Sequence, residues 1–300
     1  MTQRPSEKTS GAHVWFLALR PKTLPAAVAP VLVGSALASA HQRFYFPAAL
    51  AAMAVALLLQ IAVNLANDYF DFKAGIDTDQ RLGPVRVTQS GLISPERVKI
   101  AVIAVLVMAA FVGLYLVCRG GWPIAAVGIA AMVSALGYSG GPYPLASHGL
   151  ADVFVFFFFG PVAVAGTYFV QALSFSWQAV VVSIPMGCII TAILVVNNLR
   201  DIPTDARTGK RSLAVMIGPA GARFEYAALM LGAYAAPVIV SIFGKVWYGG
   251  LLAILTLPWA ILMIKNIWKE TGTGLNNRLA ATAKLALFYA VLQSAGLVFF

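Results

Sequence analysis

Charge is scarce in this sequence: only 11% of its 300 residues are charged, against 60% hydrophobic, and mean hydropathy is +0.83. That balance excludes a water-soluble globular domain, whose apolar surface would find no cover. Cysteine is almost missing. Cys118 and Cys188 lie inside apolar runs and read as small core or lipid-facing residues. Histidine is equally sparse, and His13, His41 and His148 have no zinc-like spacing. The first ten residues are polar and the first apolar run continues into the body of the chain, so no cleavable signal peptide is expected. The net charge of +10 would suggest nucleic acid in a soluble protein. In a membrane protein the excess of Lys and Arg on the cytoplasmic side accounts for it, and no nucleic-acid partner is expected.

What is present is apolar run after apolar run. The expected fold is all-α: a polytopic membrane protein with nine transmembrane helices, at about 24–40, 47–69, 98–117, 122–138, 151–170, 178–199, 222–243, 247–266 and 279–299. These form one domain over 1–300, with 1–23 as a cytoplasmic N-terminus and 24–300 as the bundle. Val14–Lys22 reads as a short interfacial helix, because its Trp15 and basic residues suit the headgroup level. Pro161, Pro185, Pro237 and Pro258 are expected to kink helices rather than end them. With the N-terminus inside, all Lys and Arg except Arg43, Arg119 and Lys245 fall on the cytoplasmic side. An odd number of spans then puts the C-terminus on the opposite side of the inner membrane.

Acids are rarer than bases, and they are not spread evenly. Of eleven Asp and Glu, six (Asp68, Asp71, Asp77, Asp79, Asp201 and Asp205) cluster at the cytoplasmic ends of two spans. In the first cluster, Asn64, Asn67, Asp68 and Asp71 fall at i, i+3, i+4 and i+7, so they share one helix face. In the second, Asn197, Asn198, Asp201 and Asp205 end the run 179–196. Asn67 and Asp71 are four apart, as are Asn197 and Asp201. A helix C-terminus already carries partial negative charge, so acids there are disfavoured unless a cation compensates. Each motif is followed by a basic loop: Lys73, Arg81 and Arg86 after the first, Arg200, Lys210 and Arg211 around the second.

Carboxylates with amides suit Mg²⁺, which takes one or two protein carboxylates and completes its shell with substrate phosphates. Two such motifs facing each other would hold a diphosphate between metals, with basic side chains neutralising charge on the leaving group. A charged diphosphate head on a hydrocarbon tail fits a site at a membrane surface, which points to a polyprenyl diphosphate. Tyr69, Tyr138 and Tyr143 could shield an allylic cation or equally belong to the core or the interfacial belt. Each Lys or Arg is also expected inside on topology alone, and Phe154–Phe159 reads as packing or lipid-facing surface.

These residues resemble the UbiA superfamily of intramembrane aromatic prenyltransferases. Asn67, Asp68 and Asp71 match its first motif. Ubiquinone-pathway members usually carry an aspartate four residues after Asp71; Gly75 stands there, followed by Asp77, as in the menaquinone branch. Asn197-Asn198-x-Arg200-Asp201-x-x-x-Asp205 is similar to that branch too, as are Arg20–Ala26, Gly83–Val87, Tyr138–Pro142, Phe158–Tyr168 and Gly209–Val215. Ala146–Asp152 departs from it, the branch being more aromatic and glycine-rich there.

The resemblance implies a central cavity opening to the cytoplasm. It implies transfer of a polyprenyl group to 1,4-dihydroxy-2-naphthoate with loss of CO2, giving demethylmenaquinol and diphosphate. It also implies Mg²⁺ held by Asn67, Asp68, Asp71, Asn197, Asp201 and Asp205. Substrate would be bound by Asn64, Lys73, Arg81, Arg86, Asn198 and Lys210. Asp68, Asp71, Asp201, Asp205 and Tyr138 would stand at the reacting centre. Prenylation of 4-hydroxybenzoate or homogentisate, or cation-coupled transport, are the competing expectations.

Overall fold

The structure is a computed structural model that describes residues 11–76, 82–244 and 249–300. It is all-helical among the described residues. A short α1 (Gly11–Leu19) precedes α2 (Leu24–Ala40), α3 (Phe46–Lys73), α4 (Pro95–Gly120) and α5 (Trp122–Gly137). There follow α6 (Ala151–Phe157), α7 (Ala163–Ala172), α8 (Trp177–Arg207), α9 (Leu213–Gly244), α10 (Leu257–Ile267) and α11 (Leu275–Phe299). Seven stretches among the described residues are long and apolar enough to cross a membrane. The shorter apolar α5 and α9, which breaks at Gly218 (φ +74°), bring the apolar helical segments among the described residues to nine, at the expected positions.

Proline and glycine punctuate these helices as their backbone chemistry requires. α2, α3, α4, α5 and α10 all carry Pro in the first turn, where no intrahelical N–H is needed. Pro258 is one of these: it opens α10 after a 3-10 stretch, so the kink expected there is a helix start instead. Pro185 and Pro237 stand inside α8 and α9. Pro161 lies in a π-helical turn, Phe158–Val162, that joins α6 to α7. There Gly160 lies against α8: a Cβ on it would come within 3.0 Å of the Gly187 Cα. Small residues of this kind let membrane helices approach closely.

α8 is the hub. It packs on α9, α11, α6, α2 and α7, and its apolar window is 72% buried. The main core gathers around it, from Met186, Ile189, Val195 and Val196 to Tyr226 and Met230 of α9 and Leu285 and Tyr289 of α11. α3 lies toward the edge, against α4, α2, α7 and α5, with only 22% of its window buried. The N-terminal helix does more than sit at an interface. Val14 and Ala18, one turn apart, pack with Leu65 and Ala66 of α3 and with Val87 and Ile93 of the following loop. Cys188 is buried and Cys118 exposed, one in each of the two expected settings.

Candidate active site

Both motif helices end in the same way. Past α3, Gly75 adopts φ +69°, its N–H bonds the Phe72 carbonyl, and the Ile76 N–H reaches the Asp71 carbonyl at 2.9 Å. Past α8, Gly209 adopts φ +77°, its N–H bonds the Ala206 carbonyl, and the Lys210 N–H reaches the Asp205 carbonyl at 3.0 Å. Each is a complete Schellman cap, and left-handed φ explains why glycine stands at 75. The caps set a register that sequence spacing had not: Asp71 corresponds to Asp205, Asn67 to Asp201, and Asn64 to Asn198.

The compensating cations are found, but differently at each end. On α3, Asp71 pairs with Arg86 at 2.9 Å, both side chains buried. The Val87 N–H donates to Asp68 Oδ2 at 3.2 Å, and the Ser139 hydroxyl donates to Asn67 Oδ1 at 2.8 Å. Motif one is therefore held by loops from elsewhere in the chain. Asn64 is buried and turned the other way, donating to the Leu19 carbonyl at 3.0 Å and to Thr23 Oγ1 at 2.9 Å. In this structure it anchors the N-terminal turn.

On α8 the cation is Arg200, fully buried within the motif itself. Its Nε and Nη2 grip Asp201 at 2.8 and 2.6 Å, Nη2 also donates to Asn197 Oδ1 at 2.8 Å, and Nη1 donates to Asn276 Oδ1 at 2.7 Å. Asn276 in turn donates to the Leu82 carbonyl at 3.0 Å, which ties motif two to the loop after motif one. Lys210 pairs with Asp205 at 3.2 Å. Burial works against the Lys210 ammonium, but Asp205, Asp71 and Asp201 outweigh it and hold its pKa above the ordinary lysine value. Asn198 is buried, and Lys73 is exposed at the end of α3. Arg81, Asp77 and Asp79 lie outside the described residues.

The two ends face one another. Lys210 lies in the field of Asp71 as well as Asp205 and Asp201, and the Tyr138 hydroxyl lies in that of Asp152, Asp71 and Asp205. Among the described residues, no three acids, histidines or cysteines gather closely enough to form a metal cage. The donors are all carboxylate and carboxamide oxygens, split between two helices. That set fits a hard divalent cation that shares its shell with phosphate, and does not suit a soft or all-protein site.

Sequence reasoning set Arg200 inside the second motif and among the cations for the leaving group, not as the partner of Asp201 and Asn197; it named Asp152 only as the end of the divergent stretch Ala146–Asp152 and passed over Asn276. Arg200's place inside the motif, three residues from Asn197 and next to Asp201, was the available signal. Asn276 offered none, because its partners are distant in sequence.

The UbiA prenyltransferase family profile matches residues 27–291. The chain is 34% identical over 298 residues to a 1,4-dihydroxy-2-naphthoate octaprenyltransferase of Escherichia coli (strain K12), covering 97% of both chains. It is 43% identical over 216 residues to a protein of the same name from Mycobacterium tuberculosis, covering 72% of this chain and 74% of that one. In fold it is similar to a UbiA homolog from Archaeoglobus fulgidus bound to GPP and Mg2+, with a TM-score of 0.67 at 14% identity, covering 95% of this chain and 99% of that one.

Proposed function

The chain belongs to the UbiA prenyltransferase family as a multi-pass membrane prenyltransferase, and from that premise we propose that it transfers a polyprenyl group from its diphosphate to 1,4-dihydroxy-2-naphthoate. The products are CO2, diphosphate and demethylmenaquinol, a precursor of menaquinone. The observation that carries the diphosphate half of this reading is the convergence of two acid–amide helix ends around Lys210 and Tyr138. The acceptor half rests on relatives that share most of their length with this chain and bear the naphthoate name.

Asn67, Asp68, Asp71, Asn197, Asp201 and Asp205 are the residues that would hold Mg²⁺ together with the substrate phosphates. When bound, the metal would supply charge neutralisation for the departing diphosphate. The chain's own side chains do the rest. Arg86 and Lys210, with Lys73 and Arg81 as the further candidates of the basic loop, would meet the phosphate oxygens with positive charge and stabilise the negative charge that develops there. Arg200 orients Asp201 and Asn197 from behind. Tyr138 and Tyr69 border the allylic cation and keep water from it, and the electron-rich ring attacks at the carbon that loses its carboxylate. The whole chain acts as one domain in the inner membrane. Its N-terminus and site face the cytoplasm, so a soluble aromatic acid and a lipid diphosphate meet at one boundary.

The test is product analysis with purified protein in nanodiscs, given Mg²⁺, a polyprenyl diphosphate and equal amounts of dihydroxynaphthoate and 4-hydroxybenzoate. Prenylated naphthoquinol with CO2, lost on adding EDTA, is expected. Prenylated benzoate alone would overturn the acceptor and keep the chemistry. No product from folded protein would overturn both.

A further inference from the structure

The loop between α5 and α6 joins the two motif ends. It is pinned to motif one where Ser139 bonds Asn67 at 2.8 Å, and Gly140 lies against the Phe70 ring so closely that a Cβ would come within 2.6 Å of it. It is pinned beyond motif two where the Arg211 N–H meets the Ser147 carbonyl at 3.3 Å. Gly149, at φ +72°, passes the start of α9 so closely that a Cβ would come within 2.9 Å of the Met216 Sδ. The loop ends in Asp152, on the first turn of α6, and α6 packs on α8.

Asp152 is only 5% exposed, yet its Oδ2 has no hydrogen-bond partner among the described residues. The groups that share its field are the Tyr138 hydroxyl and Glu225 of α9, so no cation among these balances it. A buried carboxylate oxygen without a donor is costly, and such a group in a native fold calls for a partner the protein alone does not supply. Tyr138 also lies in the field of Asp71 and Asp205, which places Asp152 beside the motif site rather than in a separate pocket.

We propose that Asp152 is a catalytic residue of the acceptor subsite, its free oxygen receiving a ring hydroxyl of the aromatic acceptor across from Tyr138. This rests on the prenyl-transfer reading given above. As the ring carbon bonds the allylic carbon, the hydroxyl proton passes to Asp152 and the ring oxygen becomes a carbonyl. When the carboxylate leaves as CO2, the electron pair of the broken C–C bond restores the aromatic ring, and the proton returns to the oxygen. No proton or electron is gained or lost overall.

The alternative is that Asp152 merely suits the first turn of α6, where an acid is favoured. Asp152→Asn separates the two, because loss of the charge from a purely structural role would lower thermal stability slightly and leave the acceptor kinetics alone. Steady-state kinetics in nanodiscs are measured for wild type, Asp152→Asn and Asp152→Glu, varying dihydroxynaphthoate and polyprenyl diphosphate separately, with thermal unfolding as the control for folding. The expected result is that Asp152→Asn lowers kcat/KM for the naphthoate about 100-fold. Its KM for the polyprenyl diphosphate stays within about twofold, and Asp152→Glu recovers about tenfold of the loss. Near-normal turnover by Asp152→Asn, or both KM values rising together, would overturn the assignment. Should Asp152→Asn not fold, Asp152→Glu alone decides: a changed naphthoate KM with an unchanged diphosphate KM supports it, and unchanged naphthoate kinetics refute it. Failure of the wild type to prenylate naphthoate would refute the acceptor reading itself, a result distinct from any of these.

Discussion

The ends of α3 and α8 share a cap, a register and a run of acids and amides, but they are held in opposite ways. On α3 the acids depend on neighbours brought from a distance: Arg86 and Val87 from the following loop, Ser139 from the turn after α5. On α8 the grip is local, through Arg200 on Asp201 and Asn197, and the helix carrying it is the most buried span described. One half of the site is thus a fixed template, and the other is assembled when loops dock on it. A diphosphate held between them would bind to the first and tighten the second.

The largest expected effect falls on both halves alike. Asp71→Asn and Asp201→Asn should each lower turnover by about 10³-fold, measured by product formation. Their stability costs should differ. Asp201→Asn strands Arg200 in the core, a loss of about 3–5 kcal/mol for a broken buried pair. Arg86 is buried too, but it sits on a loop rather than in the body of the most buried helix, so Asp71→Asn should cost less in thermal unfolding. Equal losses would break the contrast.

Arg-to-Lys exchange sharpens it further. Arg200→Lys cannot keep contacts to Asp201, Asn197 and Asn276 at once, since Lys lacks the planar fork, and should lose about 100-fold in activity. Arg86 meets Asp71 through Nη2, a contact that a lysine ammonium can supply, so Arg86→Lys should stay within about tenfold. The shared cap predicts a likeness instead. A Cβ meets nothing within 4 Å at Gly75 or Gly209, so Gly75→Ala and Gly209→Ala should each cost only the left-handed strain, about 1–2 kcal/mol.

The smallest effect is pH dependence. The raised pKa of Lys210 means that its pairing stabilises the fold fully below the ordinary lysine value and fades as pH rises through the elevated one. The stability difference between wild type and Lys210→Met should hold across neutral pH and shrink only in strong alkali. Arg86 does not titrate there, so Arg86→Met should show no such change.

Nine spans and two acid–amide motifs were legible because each is a local pattern: twenty apolar residues, or four polar ones on a helix face. The need for a cation beside each acid was legible too, from the helix dipole alone. Which cation was not. Arg86 reaches Asp71 only because Val87 and Ile93 dock the loop on Leu65 and Ala66. Asn276 reaches Arg200 and Leu82 only because α11 packs beside α8. Asp152 entered the sequence reading only as the end of the divergent stretch Ala146–Asp152; its burial beside Tyr138 comes from the fold. Spacing also misaligned the two motifs, since only the φ values of Gly75 and Gly209 reveal where each helix stops.

The central claim is that two differently built helix ends form one diphosphate site. Titration calorimetry of inorganic diphosphate into the purified protein, with and without Mg²⁺, tests it most directly. One diphosphate per chain is predicted, dependent on Mg²⁺ and lost in Asp71→Asn and in Asp201→Asn alike. Two diphosphates per chain, or full binding by either folded variant, would contradict it.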